Sequence, residues 1–415
     1  MNKLKNLSLG LFSLGIFSLG LISCSKPAAN NPTGATPTTV SEDKENITNT
    51  FNNTTNNIKM IQNGDFVKGF SSFMNMQNGQ AMNMNWISNM FSKLTNSPQW
   101  QTASNAQTNG RFNLAPFAAN TYSWNALNKA WDISPNTNGA LVLSFPSDST
   151  IAIQDSMHPQ NANDIVFTLS KYTDESHTFN NETDFIPTAI AAQLVKGTEK
   201  LFSLNYTGTY NSGMPVPQDA KIDLFLAPND YSFEVKQNSP TQFELMAGML
   251  NGTPNALSMD AKINLSSSDY AALDLNNDIT SLQLTWAEGN FNVNGTFNIA
   301  AYNALPTSNT LTAAQINSTI NFDVNYNNQK IGNLVFKADP NSPGQSTMVI
   351  VYKDGTSDST ATYLRPFATS VSNLANNTLG NAKAKALIKE TYLQWKIANL
   401  KTNVTTWIKS KVAFL

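Results

Sequence analysis

Between residues 140 and 364 the chain is a succession of short segments with strand-like patterns, and this feature limits the fold more than any other. The clearest is Ile320–Tyr326, in which apolar and polar residues alternate as in a strand with one buried and one solvated face. About a dozen such segments follow one another, at 140–145, 165–170, 201–207, 221–226, 231–235, 243–250, 261–265, 281–286, 291–299, 320–326, 331–337, 348–352 and 360–364. Most links are short and turn-like, such as Glu288-Gly289-Asn290. Parallel crossovers need a dozen or more residues, so the pattern predicts a mainly antiparallel sheet.

The segments on either side of this region have helical spacing. Ser41 followed by Glu42 and Asp43 has the pattern of a helix start, and we predict helices over 41–95, broken near Gly64 and Gly79. An apolar stripe with helical spacing predicts a C-terminal amphipathic helix within 367–415. The predicted fold class is therefore α+β. We expect a large, curved, mostly antiparallel sheet over 110–366, forming a half-barrel or two layers, with N- and C-terminal amphipathic helices packed on it. A break into two β subdomains near 180–187 or 305–315 is left open.

The N-terminus has the three parts of an export signal. Lys3 and Lys5 precede an uncharged apolar run over 7–22, which is short for a membrane-spanning helix. The run ends in Leu21-Ile22-Ser23-Cys24, and Cys24 is the only cysteine in the chain. This tetrapeptide resembles the lipobox of Gram-negative bacterial lipoproteins.

The resemblance implies that residues 1–23 are a cleaved signal peptide and that Cys24 carries acyl chains. Two or more chains anchor a protein firmly in a bilayer, whereas one alone binds marginally. Ser25, in a position where aspartate often accompanies inner-membrane retention in this family, implies the outer membrane, on its periplasmic face or at the cell surface. Residues 24–40 contain three prolines and few apolar side chains, which is typical of a flexible tether.

The composition excludes one class of partner and supports an exported β protein. Only 13% of the residues are charged and the formal net charge is −2, so no basic surface for nucleic acid is expected. Asparagine is abundant, at 57 residues, and it favours turns.

Motifs for catalysis and metal binding are sparse. The two histidines, His158 and His177, fall in polar segments interpreted as exposed loops. Two Met-x-Met pairs, Met74/Met76 and Met82/Met84, are weak candidates for a Cu(I) site and are interpreted as flexible core packing. There is no Gly-x-Ser-x-Gly nucleophile motif. Acidic residues within predicted strands are expected to face water; these are Asp223, Glu234, Glu244 and Asp323.

The predicted function is accordingly that of a non-catalytic, membrane-anchored binding protein without a cofactor. A curved sheet covered by helices is similar in architecture to the half-barrel of lipid-binding lipoproteins, which implies an amphiphile or a hydrophobic protein segment as ligand. One alternative is a surface glycan-binding or adhesive module that uses exposed aromatic side chains, with Tyr122, Trp124, Tyr206 and Tyr210 as candidates. A hydrolase with dispersed carboxylates is a further alternative.

Overall fold

The structure is a computed structural model. It describes residues 38–63, 113–146, 163–179, 182–211, 217–250, 257–270, 272, 277–305, 311–338, 346–366 and 369.

The described part of the chain consists of four helices bounded as elements, sixteen strands and a short helical stretch at 360–366. The helices are α1 (Val40–Asn63), α2 (Ala115–Ala118), α3 (Ile299–Asn303) and α4 (Ala313–Asn317). The first eight strands are β1 (Asn120–Asn125), β2 (Ala130–Pro135), β3 (Leu141–Phe145), β4 (Ile165–Phe179), β5 (Glu182–Lys196), β6 (Glu199–Thr209), β7 (Asp219–Leu226) and β8 (Asn229–Ser239). The others are β9 (Gln242–Leu250), β10 (Leu257–Leu265), β11 (Ile279–Glu288), β12 (Phe291–Asn298), β13 (Ile320–Tyr326), β14 (Gln329–Ala338), β15 (Ser346–Tyr352) and β16 (Ser357–Ser359).

All sixteen strands form one sheet in which chain neighbours pair almost throughout. The order runs from β16 to β3 without interruption and ends β3-β1-β2. Every pair is antiparallel except β1 with β3, which are parallel. The sheet is open rather than closed into a barrel, which confirms the predicted large, curved, antiparallel sheet. The same sheet includes strands on both sides of 180–187 and 305–315.

Side chains on the sheet separate into an apolar and a polar face. Three clusters of buried apolar side chains occupy the first of these, one around β1–β3, one around β8–β10 and one beneath α1 on β12–β15. The opposite face is rich in asparagine and charged groups. There the Asn325 amide donates to Asn292 and Asn294, at 3.0 and 2.6 Å, and Lys330 pairs with Asp323 at 2.6 Å. Hydrogen bonds between short amides and ion pairs therefore cover this face.

Helix α1 begins two residues earlier than the sequence pattern predicts. Thr39, not Ser41, caps it: the Glu42 backbone N–H donates to the Thr39 hydroxyl at 3.2 Å. The Glu42 carboxylate in turn accepts from the Thr39 backbone N–H at 2.6 Å, which completes a capping box. These hydrogen bonds lower the pKa of Glu42. The helix then buries Ile47 and Phe51, four residues apart and so on one face, against the sheet.

Two predictions about the sheet were wrong. Residues 360–364 are helical rather than a strand, because the Ser359 hydroxyl accepts from the Ala361 backbone N–H at 3.3 Å and starts a helical turn. The long strand β5 was not predicted, since Pro187 and a run of small residues hide it. Pro187 pairs with Asp174 beside an irregularity in the register of β4 and β5, where a proline is tolerated.

Several predicted features lie outside the described residues. They are the signal peptide, Cys24, most of the tether, the helical segment after Asn63, nearly all of the C-terminal helix, His158 and the four methionines Met74, Met76, Met82 and Met84. In the part that is described, no helix combines the length and apolar character needed to cross a membrane.

Candidate ligand-binding face

Residues that pair across the sheet point to the same side, so the registers define rows of side chains that run across the strands. One row, here called the central row, leads from β6 to a buried carboxyl group on β11. It consists of Leu204, Leu224, Tyr231, Met249, Leu257 and Glu288. A second row lies one step along the strands and is apolar throughout. It consists of Tyr206, Ile222, Phe233, Ala247, Met259, Trp286 and Val293. The apolar face is thus continuous from β6 to β12.

Exposure varies along this face. On β8–β10 the central row is buried at Tyr231, Met249 and Leu257. On β5–β7 the apolar side chains are only half-buried, and we call this group the shelf: Leu194, Phe202, Leu204, Ile222 and Leu224. Leu194 packs against the cluster on β1–β3 and Ile222 against the cluster on β8–β10. The shelf therefore lies between two buried clusters of the core, and part of its own apolar area stays in contact with solvent.

A buried amide lies at the end of the shelf. Leu194 pairs with Phe202, Phe202 with Leu226, and Leu226 with Asn229, the first residue of β8. The Asn229 side chain is 1% exposed, and within the described residues neither its amide nitrogen nor its amide oxygen has a hydrogen bond. Native proteins pair nearly all such groups. Tyr231 is next on the same face; burial raises its pKa, and the neighbouring Asn229 side chain opposes that rise.

Glu288 of the central row lies beneath helix α1 and is 2% exposed. One of its oxygens lies in a short contact with the Thr54 hydroxyl of α1, while the other is buried without a hydrogen-bond partner among the described residues. Burial raises the pKa of Glu288 to about 7, and the contact with Thr54 opposes this only in part. The group is thus a carboxyl that holds its proton at mildly acidic pH in an apolar setting.

Aromatic packing and ion pairs hold α1 over this end of the face. The Phe51 ring stacks on Trp286 at 5.4 Å and on Tyr363 at 6.2 Å between ring centroids. Near the start of the helix, Lys353 lies 3.3 Å from buried Asp43, and Lys44 lies 3.1 Å from Asp358. The helix therefore covers the apolar face over β11–β15.

Asp358 also joins two tyrosines in a network next to α1. The Tyr363 hydroxyl donates to Asp358 at 2.7 Å and lies 2.8 Å from the Tyr352 hydroxyl. Burial acts to raise the pKa of Asp358, but hydrogen bonds from Tyr363 and Lys44 outweigh it and hold that pKa below its usual value. Burial raises the pKa of Tyr363 to about 12. The network carries its charge as a paired carboxylate and is suited to anchoring the helix.

The acidic residues predicted to face water lie on the polar face. Asp223 pairs with Lys221 at 3.0 Å, and Asp323 is bound by Lys330 and by the Asn333 amide. Glu244 lies 3.3 Å from Lys262.

Asp260 neighbours the Glu244–Lys262 pair. Burial and the adjacent Glu244 raise the pKa of Asp260, whereas Glu244, despite its own burial, is kept ionised by Asn238 and Lys262. Two carboxyls of different proton affinity thus lie side by side on the polar face, bound by a lysine and an amide.

The structure revises the interpretation of His177. It lies on strand β4 and is buried, not in an exposed loop, with its ring 5.9 Å from that of Tyr210. No group of three or more potential metal-ligating residues occurs in the described ranges. Tyr122, Trp124 and Tyr206 are buried, and Tyr210 is half-buried with its hydroxyl 2.6 Å from that of Tyr206. Tyr122, Trp124 and Tyr206 therefore belong to the core and not to an exposed sugar-binding surface.

Sequence reasoning missed both buried polar groups on the apolar face, Glu288 and Asn229. Each lies where a strand meets a turn. The neighbouring turn residues, Gly289 and Pro228, are typical of exposed loops, so the sequence did not indicate burial at these two positions. A signal for Glu288 was present: the alternation of Leu282, Leu284 and Trp286 continues to position 288 and places it on the buried face.

Comparison with known proteins gives no assignment. No family model, no curated protein and no solved structure matches the chain.

Proposed function

We propose that this chain is a non-catalytic, exported lipoprotein, held in the outer membrane through acylated Cys24, that binds an amphiphile on the shelf. One observation carries the binding part: the apolar face continues across many strands, and on β5–β7 the five apolar side chains of the shelf are only half-buried. A group of apolar side chains that keeps part of its area in contact with solvent is a feature of interaction sites. The anchor is supported by the lipobox at 21–24.

Hydrocarbon is the chemistry that suits the shelf. Its two rows, from Leu194 to Leu226 and from Leu204 to Leu257, contain no charged side chain. Apolar surface transferred from water to such a face gains about 25 cal/mol per Å². A chain of methylene groups lying along a row would gain this energy without leaving a polar group unpaired.

The test compares two lysine substitutions on adjacent residues of β6. Leu204 lies on the shelf and Asn205 on the exposed polar face. The full-length protein is purified in mild detergent, extracted with organic solvent, and its lipid quantified per chain by mass spectrometry. We expect about one lipid per chain in the wild type and in Asn205→Lys, and a loss of that lipid in Leu204→Lys. Equal lipid content in both variants, with unchanged circular dichroism, would contradict binding on the shelf.

A further inference from the structure

Among the described residues of the shelf rows, the Asn229 amide is the strongly polar group at the end, and its position needs an explanation. By register it shares a face with Leu226, its directly opposed neighbour, which is half-buried and continues the apolar row. A hydrocarbon chain lying on Leu194, Phe202 and Leu226 therefore ends next to Asn229.

The burial of this amide and its lack of hydrogen bonds suit it to contact a ligand. It is shielded from water, and neither its nitrogen nor its oxygen is hydrogen-bonded among the described residues. The Tyr231 hydroxyl is adjacent and interacts with the Asn229 side chain, yet the two groups lack the geometry of a full hydrogen bond. An amide offers two donor hydrogens and one acceptor oxygen, so it matches a ligand that both accepts and donates.

The lack of charged side chains along these rows also limits the charge of the ligand's head group. The rows that lead to Asn229 contain no charged side chain. Of the lysines at this end, Lys196 is exposed and lies 3.8 Å from Asp164, and Lys200 lies 4.1 Å from the centroid of the Phe225 ring. An ionised head group would lose its hydration without gaining a counter-ion, which is costly. A neutral head group avoids that cost.

We propose that Asn229, with Tyr231 beside it, is a head-group subsite for a neutral amphiphile, one whose amide or hydroxyl group pairs with the Asn229 side chain while its hydrocarbon chain lies on the shelf. This inference rests on the proposed function and adds the chemical class of the ligand. The head group of the ligand forms hydrogen bonds with the two unpaired amide atoms. Selectivity for a neutral head group comes from the absence of charged side chains in the described rows of the shelf.

The test separates the head group from the chain. Four probes share one hydrocarbon length: hexadecane, hexadecan-1-ol, hexadecanamide and hexadecanoate. Each displaces N-phenyl-1-naphthylamine from the full-length protein held in an amphipathic polymer. We expect hexadecanamide to bind about tenfold more tightly than hexadecane, as one good hydrogen-bonding pair provides, and hexadecanoate no better than hexadecane.

Two variants assign the preference to Asn229. Asn229→Leu removes the hydrogen-bonding groups at similar size, and we expect the amide-to-alkane ratio to fall to about one while hexadecane binding is kept. Asn205→Leu, on the polar face of the neighbouring β6, should leave the ratio unchanged. Because the amide is unpaired in the folded chain, Asn229→Leu should not lower the melting temperature.

The outcomes distinguish the two proposals. Equal displacement by all four probes overturns the head-group subsite and leaves binding on the shelf intact. Displacement by none of them overturns both. A marked fall in the melting temperature of Asn229→Leu would show that the amide has a structural partner, which also overturns the subsite.

Discussion

The Thr54 hydroxyl of helix α1 and the Glu288 carboxyl of strand β11 meet in a buried contact beneath the helix. The same hydroxyl lies 3.2 Å from the Thr50 carbonyl oxygen, to which it donates. One hydroxyl hydrogen cannot serve both acceptors fully. A protonated Glu288 removes this conflict, because it donates to Thr54 while Thr54 donates to Thr50. The geometry thus agrees with the raised pKa of the carboxyl, at about 7.

The first prediction concerns pH. The pKa of Glu288 is raised from 4.5 to about 7 on folding, so the folded chain binds the proton more tightly than the unfolded chain between these values. The stabilisation by this group is complete below pH 4.5 and is lost as the pH rises through 7. The loss approaches about 3 kcal/mol at high pH, since each unit of pKa corresponds to about 1.4 kcal/mol. Denaturant unfolding at pH 5 and pH 8 measures it.

Glu288→Gln tests the assignment, because the amide keeps a donor for Thr54 and carries no charge. We expect the difference in unfolding free energy between pH 5 and pH 8 to shrink in this variant. Glu45→Gln, on the exposed side of α1, is the matched control and should behave as the wild type does. A pH dependence identical in all three proteins would rule out Glu288 as its source.

The second prediction concerns the packing of α1. Phe51→Ala removes a ring that contacts Trp286, Phe291 and Tyr363. Truncation of a buried aromatic side chain costs about 3–5 kcal/mol of unfolding free energy. Asn52→Ala, exposed on the same helix, should change it by less than about 0.5 kcal/mol. Chemical denaturation followed by tryptophan fluorescence checks both, and a loss below about 1 kcal/mol for Phe51→Ala would show that the helix is not firmly packed.

The third prediction concerns Gly295 in β12. A Cβ atom there would lie 2.0 Å from the Asn321 backbone oxygen and 2.7 Å from the Phe322 ring. Backbone oxygen cannot rotate away, so Gly295→Ala must displace β12 from β13. We expect a loss of about 3 kcal/mol, at the upper end of overpacking. The neighbouring Thr296→Ala, on the exposed face, is the control. Equal melting temperatures for the two variants would contradict the close approach of these strands.

The fourth prediction concerns the anchor. If Cys24 is acylated, cells grown with radiolabelled palmitate should label the wild-type protein, and Cys24→Ala should carry no label. The label should also be lost from any fragment that begins after residue 24. Labelling of Cys24→Ala at the wild-type level would contradict the proposal that the chain is a lipoprotein.

Much of the sheet can be predicted from the sequence, because apolar and polar residues alternate with a period of two along a strand that has one solvated face. Strand β13 is predicted to the residue from the alternation of Ile320–Tyr326. Strand β5 was not predicted, because the alanines at 189, 191 and 192 do not distinguish the two faces and because a proline such as Pro187 is rare inside strands. The residues at 360–364 were misassigned because Tyr363 looks like a strand residue, whereas its ring packs on Phe51 from a helical turn.

The candidate site was less accessible to prediction. Apolar residues along β6 and β7 indicate a buried face, but only the structure shows that Leu204 and Leu224 are half-buried. The registers show that their row leads to Glu288 and that the neighbouring row, through Leu226, leads to Asn229. Those two polar groups belong to hairpin ends by sequence and to the buried face by structure. Burial at a strand end depends on what packs above it, and short-range patterns do not contain that information.

Photocrosslinking in living cells shows whether hydrocarbon lies on the shelf. A benzophenone amino acid replaces Leu204 or, as control, Asn205, which projects from the opposite face of the same strand. After irradiation, mass spectrometry of the peptide measures what has been captured. We expect a lipid-sized adduct at position 204 and none above background at position 205. Equal lipid capture at the two positions, or no lipid at 204, would contradict it.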